Sequence, residues 1–210
     1  TWINCPTVSV LDRKREIVEW LSSLESYGNQ QDKRHQDVRH RRVDGIGEWL
    51  LQTDQFLKWR DCEDGSVDAT LLCSGGPGVG KTYLSSVVID RLCDRSEGSS
   101  VSVAYIYCNF QTQKSQATAH MLGSLLKQVV CGLEVIPEEI GCAFQKAKQG
   151  QDGRGLTVSE FLKLLRATLK SRKRTFVCID ALDECATEYR PELFRSLHSL
   201  VRNSPNIRLF

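Results

Sequence analysis

Ala69-Thr70-Leu71-Leu72-Cys73-Ser74 runs directly into Gly75-Gly76-Pro77-Gly78-Val79-Gly80-Lys81-Thr82, with Tyr83 and Leu84 following. The first six residues are a short apolar run that predicts a strand. The next eight fit the spacing G-x-x-x-x-G-K-[ST], and from Lys81 onward Leu84, Val87, Val88 and Leu92 recur with helical period. Glycines let a backbone curl so that successive N–H groups point inward, and a helix opening directly behind them adds the positive end of its dipole. Strand, glycine loop and helix in this order predict a phosphate-binding cradle formed by Gly75, Gly76, Pro77, Gly78, Val79, Gly80, Lys81, Thr82 and Tyr83. In such a cradle Lys81 neutralises the β- and γ-phosphates of a nucleoside triphosphate, and the Thr82 hydroxyl takes one position around Mg²⁺. No guanine-reading Asn-Lys-x-Asp run occurs, and both ATP and GTP stay open as the ligand.

A second motif lies about a hundred residues on, where Thr175-Phe176-Val177-Cys178-Ile179 ends in Asp180 and is followed by Ala181-Leu182-Asp183-Glu184. An apolar strand tipped by an acid next to a phosphate loop places Asp180 to orient Mg²⁺, usually through a water. A further acid, Asp183 or Glu184, is then the candidate for polarising an attacking water.

Between and around these motifs strands alternate with helices. Apolar spacing predicts helices over 11–24 and around Trp49, Leu50, Phe56 and Trp59, the latter capped by Thr53, with the polar run SYGNQQDKRHQDVRHRR between them. A β-rich segment over 102–108 precedes a helix over 117–130. Pro137 starts a helix ending near Lys148, Thr157 and Glu160 form a capping box for a helix to Lys170, and Pro191 starts one to about Asn203. With strands at 69–74, 102–108, 176–179 and 207–210, the pattern predicts an α/β fold whose mostly parallel sheet is covered by helices on both faces, ligand binding occurring beyond the carboxyl ends of the strands.

The pair GGPGVGKTYLSS and FVCIDALDEC, with the upstream segments IVEWLS, KRHQDVRHRR and GEWLLQTDQFLKW, resembles the NACHT-type, nephrocystin-3-like N-terminal module of fungal STAND proteins. The resemblance covers nearly the whole chain, and its most distinctive part is the small residue and paired acids that follow Asp180. It implies a P-loop NTPase three-layer sandwich over 66–210, cut short at its C-terminal end and preceded by a short helical arm and linker over 1–65. It further implies a molecular switch, in which nucleotide exchange and slow Mg²⁺-dependent hydrolysis control conformation and self-association of a larger protein with C-terminal repeats. Asp180 is then the Mg²⁺ acid, with Thr82 beside it, and Asp183 or Glu184 the catalytic one. The rival readings are an ordinary P-loop enzyme, a kinase or AAA-type motor, and a scaffold that holds nucleotide without turnover.

Composition narrows the partners. The net charge of +2 over 210 residues is too small for a nucleic-acid or acidic-membrane surface. The nine cysteines are odd in number and partly inside apolar runs, which predicts reduced thiols, and their spacing suggests no zinc site. No apolar run reaches the roughly 18 residues of a membrane span and the start carries no signal pattern, so a cytoplasmic location is expected. The first residue, Thr1, is not Met, and Phe210 lies within an apolar run; the chain reads as a piece of a longer protein. The basic cluster Lys33, Arg34, Arg39, Arg41 and Arg42 reads as a solvated or interdomain face, with contact to phosphate or nucleic acid as the alternative; the resemblance places it where the family's linker approaches the nucleotide and so implies an arginine near the ligand, whereas Lys170, Arg172, Lys173 and Arg174 read as cations capping a helix C-terminus.

Overall fold

A computed structural model describes residues 10–24, 28–61, 69–96, 100–111, 117–149 and 155–210. The elements in chain order are α1 (Val10–Leu24), α2 (Gly28–Arg41), α3 (Asp54–Asp61), α4 (Lys81–Ser96), β1 (Val101–Tyr107), α5 (Thr118–Cys131), α6 (Glu138–Lys148), α7 (Val158–Leu169), β2 (Arg174–Asp180), α8 (Arg190–Asn203) and β3 (Ile207–Leu209). β1, β2 and β3 form a parallel sheet in that order, with Tyr107 opposite Asp180 and Val177 opposite Leu209.

Side-chain alternation sends the strands' residues into two cores. Ala104, Ile106, Val177 and Ile207 pack with α1, α5, α6, α7 and α8, whereas Tyr107, Phe176 and Cys178 pack with α2, α3 and α4. The molecule is therefore α/β, with helices on both faces of a small parallel sheet. Helix α1 joins the first core through Ile17 and Leu21, so residues ahead of the glycine loop are part of the packed body.

Several ends form for the reasons legible in the sequence. Thr157 accepts from the Glu160 N–H while Glu160 accepts from the Thr157 N–H, a complete capping box. Thr53 accepts from the Phe56 N–H at 3.2 Å and so caps α3, and Pro191 stands in the first turn of α8.

Three readings need correction. The segment 69–74 is not a strand: it makes a single parallel bridge, Thr70 to Leu209, with Leu71 N–H donating to Leu209 O and Leu209 N–H to Ala69 O, both at 2.8 Å. From Leu71 to Gly76 the backbone has no regular structure and Leu72 is 85% exposed. β3 has only three residues, so the pairing ends where its ladder ends. The polar run around KRHQDVRHRR is a helix, α2, whose inward face at helical spacing is Gln31, His35 and Val38, with Arg42 one residue beyond its end. Only Val38 is apolar there, so hydrophobic periodicity gives no sign of it. Finally, α7 ends at Leu169, and Arg172 and Arg174 donate instead to Val101 O and Arg60 O on neighbouring elements.

α2 completes the sheet's outer edge. An edge strand leaves alternate N–H and C=O groups unpaired. On β1 these are met by two glutamines: Gln128 of α5 accepts from Tyr105 N–H and donates to Tyr105 O, each at 2.9 Å, and Gln31 of α2 accepts from Tyr107 N–H. His35 adds Nδ1 to the Tyr107 hydroxyl at 2.8 Å and Nε2 to Asp90 of α4 at 3.1 Å. With Nε2–H donating to the carboxylate, Nδ1 accepts the phenol proton. Burial works to raise the Asp90 carboxyl, but hydrogen bonds from His35 and Arg42 outweigh it and hold the group below the usual carboxylate range.

Candidate functional site

The glycine loop follows Leu71 from the sheet and delivers the chain to α4. Its turns require the left-handed conformation at Gly78, φ 78°, and Gly80, φ 90°, which glycine adopts without steric cost. α4 begins at Lys81, so its first-turn N–H groups and its positive dipole end face the loop. The Lys81 ammonium donates to Gly75 O at 2.8 Å and Gly76 O at 2.9 Å, which holds it across the loop's mouth. Gly75, Gly76, Pro77, Gly78 and Val79 are exposed; Gly80, Lys81, Thr82 and Tyr83 are half-buried, and Tyr83 packs against the core that α4 shares with α3.

Asp180, the last residue of β2, meets α4 from the sheet side. Only 5% exposed, it accepts from the Ser85 hydroxyl at 2.8 Å, and the Thr82 hydroxyl is near enough to act on its carboxyl. Burial pushes its carboxyl above the usual range; the Ser85 hydrogen bond and the Thr82 hydroxyl pull it down, the Glu184 charge raises it, and the Arg34 charge lowers it. Ser85 lies three residues after Thr82, which on a helix puts both hydroxyls on one face, so spacing alone could have singled it out beside Thr82. The donor set, one buried carboxylate and two hydroxyls, is made of the hard oxygens that Mg²⁺ prefers, and a cation there would offset the cost of burying the carboxylate.

After Asp180 the chain turns sharply. Ala181 is left-handed at φ 52°, and a 3₁₀ turn over Leu182–Glu184 follows, closed by Glu184 N–H to Ala181 O at 2.8 Å. The turn brings Glu184 back beside the strand ends, where its carboxylate accepts from Phe110 N–H at 3.2 Å and its charge is felt at Asp180. Asp183 is exposed and its carbonyl is held by Arg190. Thr82, Ser85, Asp180 and Glu184 thus form one cluster at the carboxyl end of the sheet, with Lys81 at the loop above.

Beneath the turn, the neighbouring Cys108 thiol, with help from the Arg190 charge, holds the Cys185 thiol below its usual range against the effect of burial. The seven described cysteines are free thiols, of which Cys131 and Cys142 are exposed. Among the described residues no group of three or more His, Cys, Asp or Glu side chains is arranged to hold a metal, and no helix is long and apolar enough to cross a membrane.

The family model for the N-terminal region of nephrocystin 3 matches residues 45–210, from the turn before α3 to the end of β3. The chain belongs to this family. The nephrocystin-3-like resemblance read from the two motifs is therefore to its own family, and the matched segment carries the whole cluster. The chain is also similar to the vegetative incompatibility protein HET-E-1 of Podospora anserina, 28% identical over 144 residues. That match covers 67% of the chain and 10% of HET-E-1, so it spans a small part of that protein. No solved structure matches the chain.

Proposed function

We propose that this nephrocystin-3-type chain is the nucleoside-triphosphate-binding module of a signalling switch, built as a P-loop NTPase. The observation that carries the reading is the meeting of the glycine loop and the first turn of α4 with a buried acid at a strand end, through the Ser85 hydroxyl with that of Thr82 nearby. Backbone N–H groups of 75–82 cradle the phosphates of ATP or GTP, and Lys81 leaves the Gly75 and Gly76 carbonyls to neutralise them. Thr82 and Asp180 hold Mg²⁺, which supplies charge neutralisation and polarisation of the terminal phosphate. Glu184, or its neighbour Asp183, accepts a proton from the attacking water, and slow turnover returns the module to its diphosphate state. In the larger protein this cycle controls conformation and self-association, with C-terminal repeats as the sensing part. A cytoplasmic location fits this role.

Titration with fluorescently labelled ATP and GTP tests the reading. Lys81→Ala is expected to weaken triphosphate binding about tenfold, equivalent to ~1.4 kcal/mol. Unchanged affinity would remove the loop from the site, and comparison of the two nucleotides settles the base. For hydrolysis, Glu184→Gln is expected to slow phosphate release at least about tenfold while binding changes by less than about twofold; Asp183→Asn, assayed in parallel, decides which acid acts. Equal loss of binding and turnover in Glu184→Gln would deny it a catalytic role. Turnover at rates of ~1 s⁻¹ or more would favour an ordinary P-loop enzyme over a switch.

A further inference from the structure

The structure sorts four cations of the basic cluster into two groups and leaves Arg41, the last residue of α2, exposed. Arg42 is paired with Asp90 at 2.7 Å and donates to Ser86 Oγ at 3.0 Å, and Arg39 lies 3.8 Å from the same carboxylate. These two cations fasten α2 to α4. Lys33 and Arg34 make no ion pair among the described residues and take a different place. With Asp37, Gln31, Tyr107 and Asn109 they line a cleft of about 230 Å³ at the carboxyl end of β1. Two cations against one carboxylate give this cleft a net positive charge.

Its position is fixed by the sheet. Tyr107 is the register partner of Asp180, and the Cys108 N–H donates to Asp180 O at 3.0 Å, so the cleft and the buried acid sit at the ends of adjacent strands. Arg34 is set there by its neighbours in the helix, Gln31 on Tyr107 N–H and His35 on the Tyr107 hydroxyl, and its charge is felt at the Asp180 carboxyl. A cation on an independently anchored helix, facing the end of the strand next to the one that bears Asp180, lies on the far side of Asp180 from the β1-distal edge, where residues 69–71 enter the glycine loop.

Resting on the triphosphate reading of the site, we propose that Arg34, with Lys33 beside it, contacts the terminal phosphate of a bound triphosphate. A guanidinium presents a planar fork of donors to phosphate oxygens. A diphosphate, one phosphate shorter, leaves Arg34 without this contact. α2 thereby reads the number of phosphates, and its polar seam with β1 and α4 carries the difference to the body of the molecule.

The test compares labelled ATP with ADP, and GTP with GDP, each with Mg²⁺, on the wild-type chain and on Arg34→Ala, Arg34→Lys and Lys81→Ala. Arg34→Ala is expected to weaken triphosphate binding about tenfold and to leave diphosphate binding within about twofold. Arg34→Lys should recover part of the loss, and Lys81→Ala should weaken both nucleotides. Arg34 is exposed, so the Ala variant should melt with the wild type, whereas a structural role would lower the melting temperature and both affinities together. If the wild-type chain binds nucleotide and Arg34→Ala keeps the triphosphate-to-diphosphate ratio, the Arg34 contact is overturned and the site stands. If the wild-type chain binds neither nucleotide, the site reading falls and takes the contact with it.

Discussion

Trp59→Ala is expected to lower the melting temperature by about 10 °C, a loss of ~3–5 kcal/mol in a chain this size. Trp59 is fully buried at the end of α3, with Phe176 at 5.3 Å, Phe56 at 5.5 Å and Phe210 at 5.9 Å between ring centroids. Its indole N–H donates to Leu209 O at 3.1 Å, and its own carbonyl accepts from Nε of the buried Arg208 at 3.2 Å. Truncation therefore opens a cavity beneath the sheet and removes one of the two hydrogen bonds to Leu209 O, which keeps that from the Leu71 N–H. Since domains are stable by only ~5–15 kcal/mol, the loss is a large share of the total. Thermal melting by circular dichroism measures it; Trp59→Phe, which keeps a ring, should lose about half as much or less. A loss under ~1 kcal/mol in the Ala variant would mean that the aromatic cluster does not fasten α3 to the sheet.

Asp180→Asn is expected to act in opposite directions on stability and on ligand. The folded-state pKa of Asp180 is raised above its unfolded value by burial first, so the folded state binds the proton more tightly than the unfolded one. The stability this provides is fully present below the unfolded carboxylate value and is lost as pH rises through the folded one. At pH 7 the ionised carboxylate is therefore a cost in the ligand-free chain, and the neutral amide removes it. The variant should melt at or above the wild-type temperature at pH 7 and lose that advantage as the pH falls into the carboxylate range. Its Mg²⁺-dependent affinity for triphosphate should drop about 10- to 100-fold, the range for groups that orient a metal's surroundings. A variant that melts lower at pH 7, or that responds to Mg²⁺ as the wild type does, would contradict this account of Asp180.

The sequence reveals those parts of the molecule where one residue type has one physical use. The capping box at Thr157 needs only local chemistry and forms as read, and the glycine loop curls with Gly78 and Gly80 left-handed. The strand ending in Asp180 also forms as read, because an apolar run has few other destinations. α2 is not legible because its inner face offers Gln31 and His35, with Arg42 just past its end, residues whose partners lie on β1 and α4 between 44 and 76 positions away. The segment 69–74 was over-read, because an apolar run signals burial or pairing without saying how far its neighbour extends. Arg208 gave no sign either: a lone arginine in a short strand is usually surface, and here it is held among the carbonyls of Trp59, Pro205 and Ile207. In the site, Asp180 and Thr82 were legible from motif spacing. Ser85 was within reach, one helical turn on, and the position of Arg34 depends on a helix that periodicity does not reveal.

The two glutamines on the outer edge of β1 have a further consequence. A neighbouring strand would extend the sheet as a rigid ladder, whereas Gln31 and Gln128 satisfy the edge through single side chains borne on two different helices. Each can rotate away and be replaced by water without a register shift or a new strand pairing. This side of the sheet is therefore held by side-chain hydrogen bonds rather than by a strand ladder, while the sheet's other side is held by the aromatic core around Trp59.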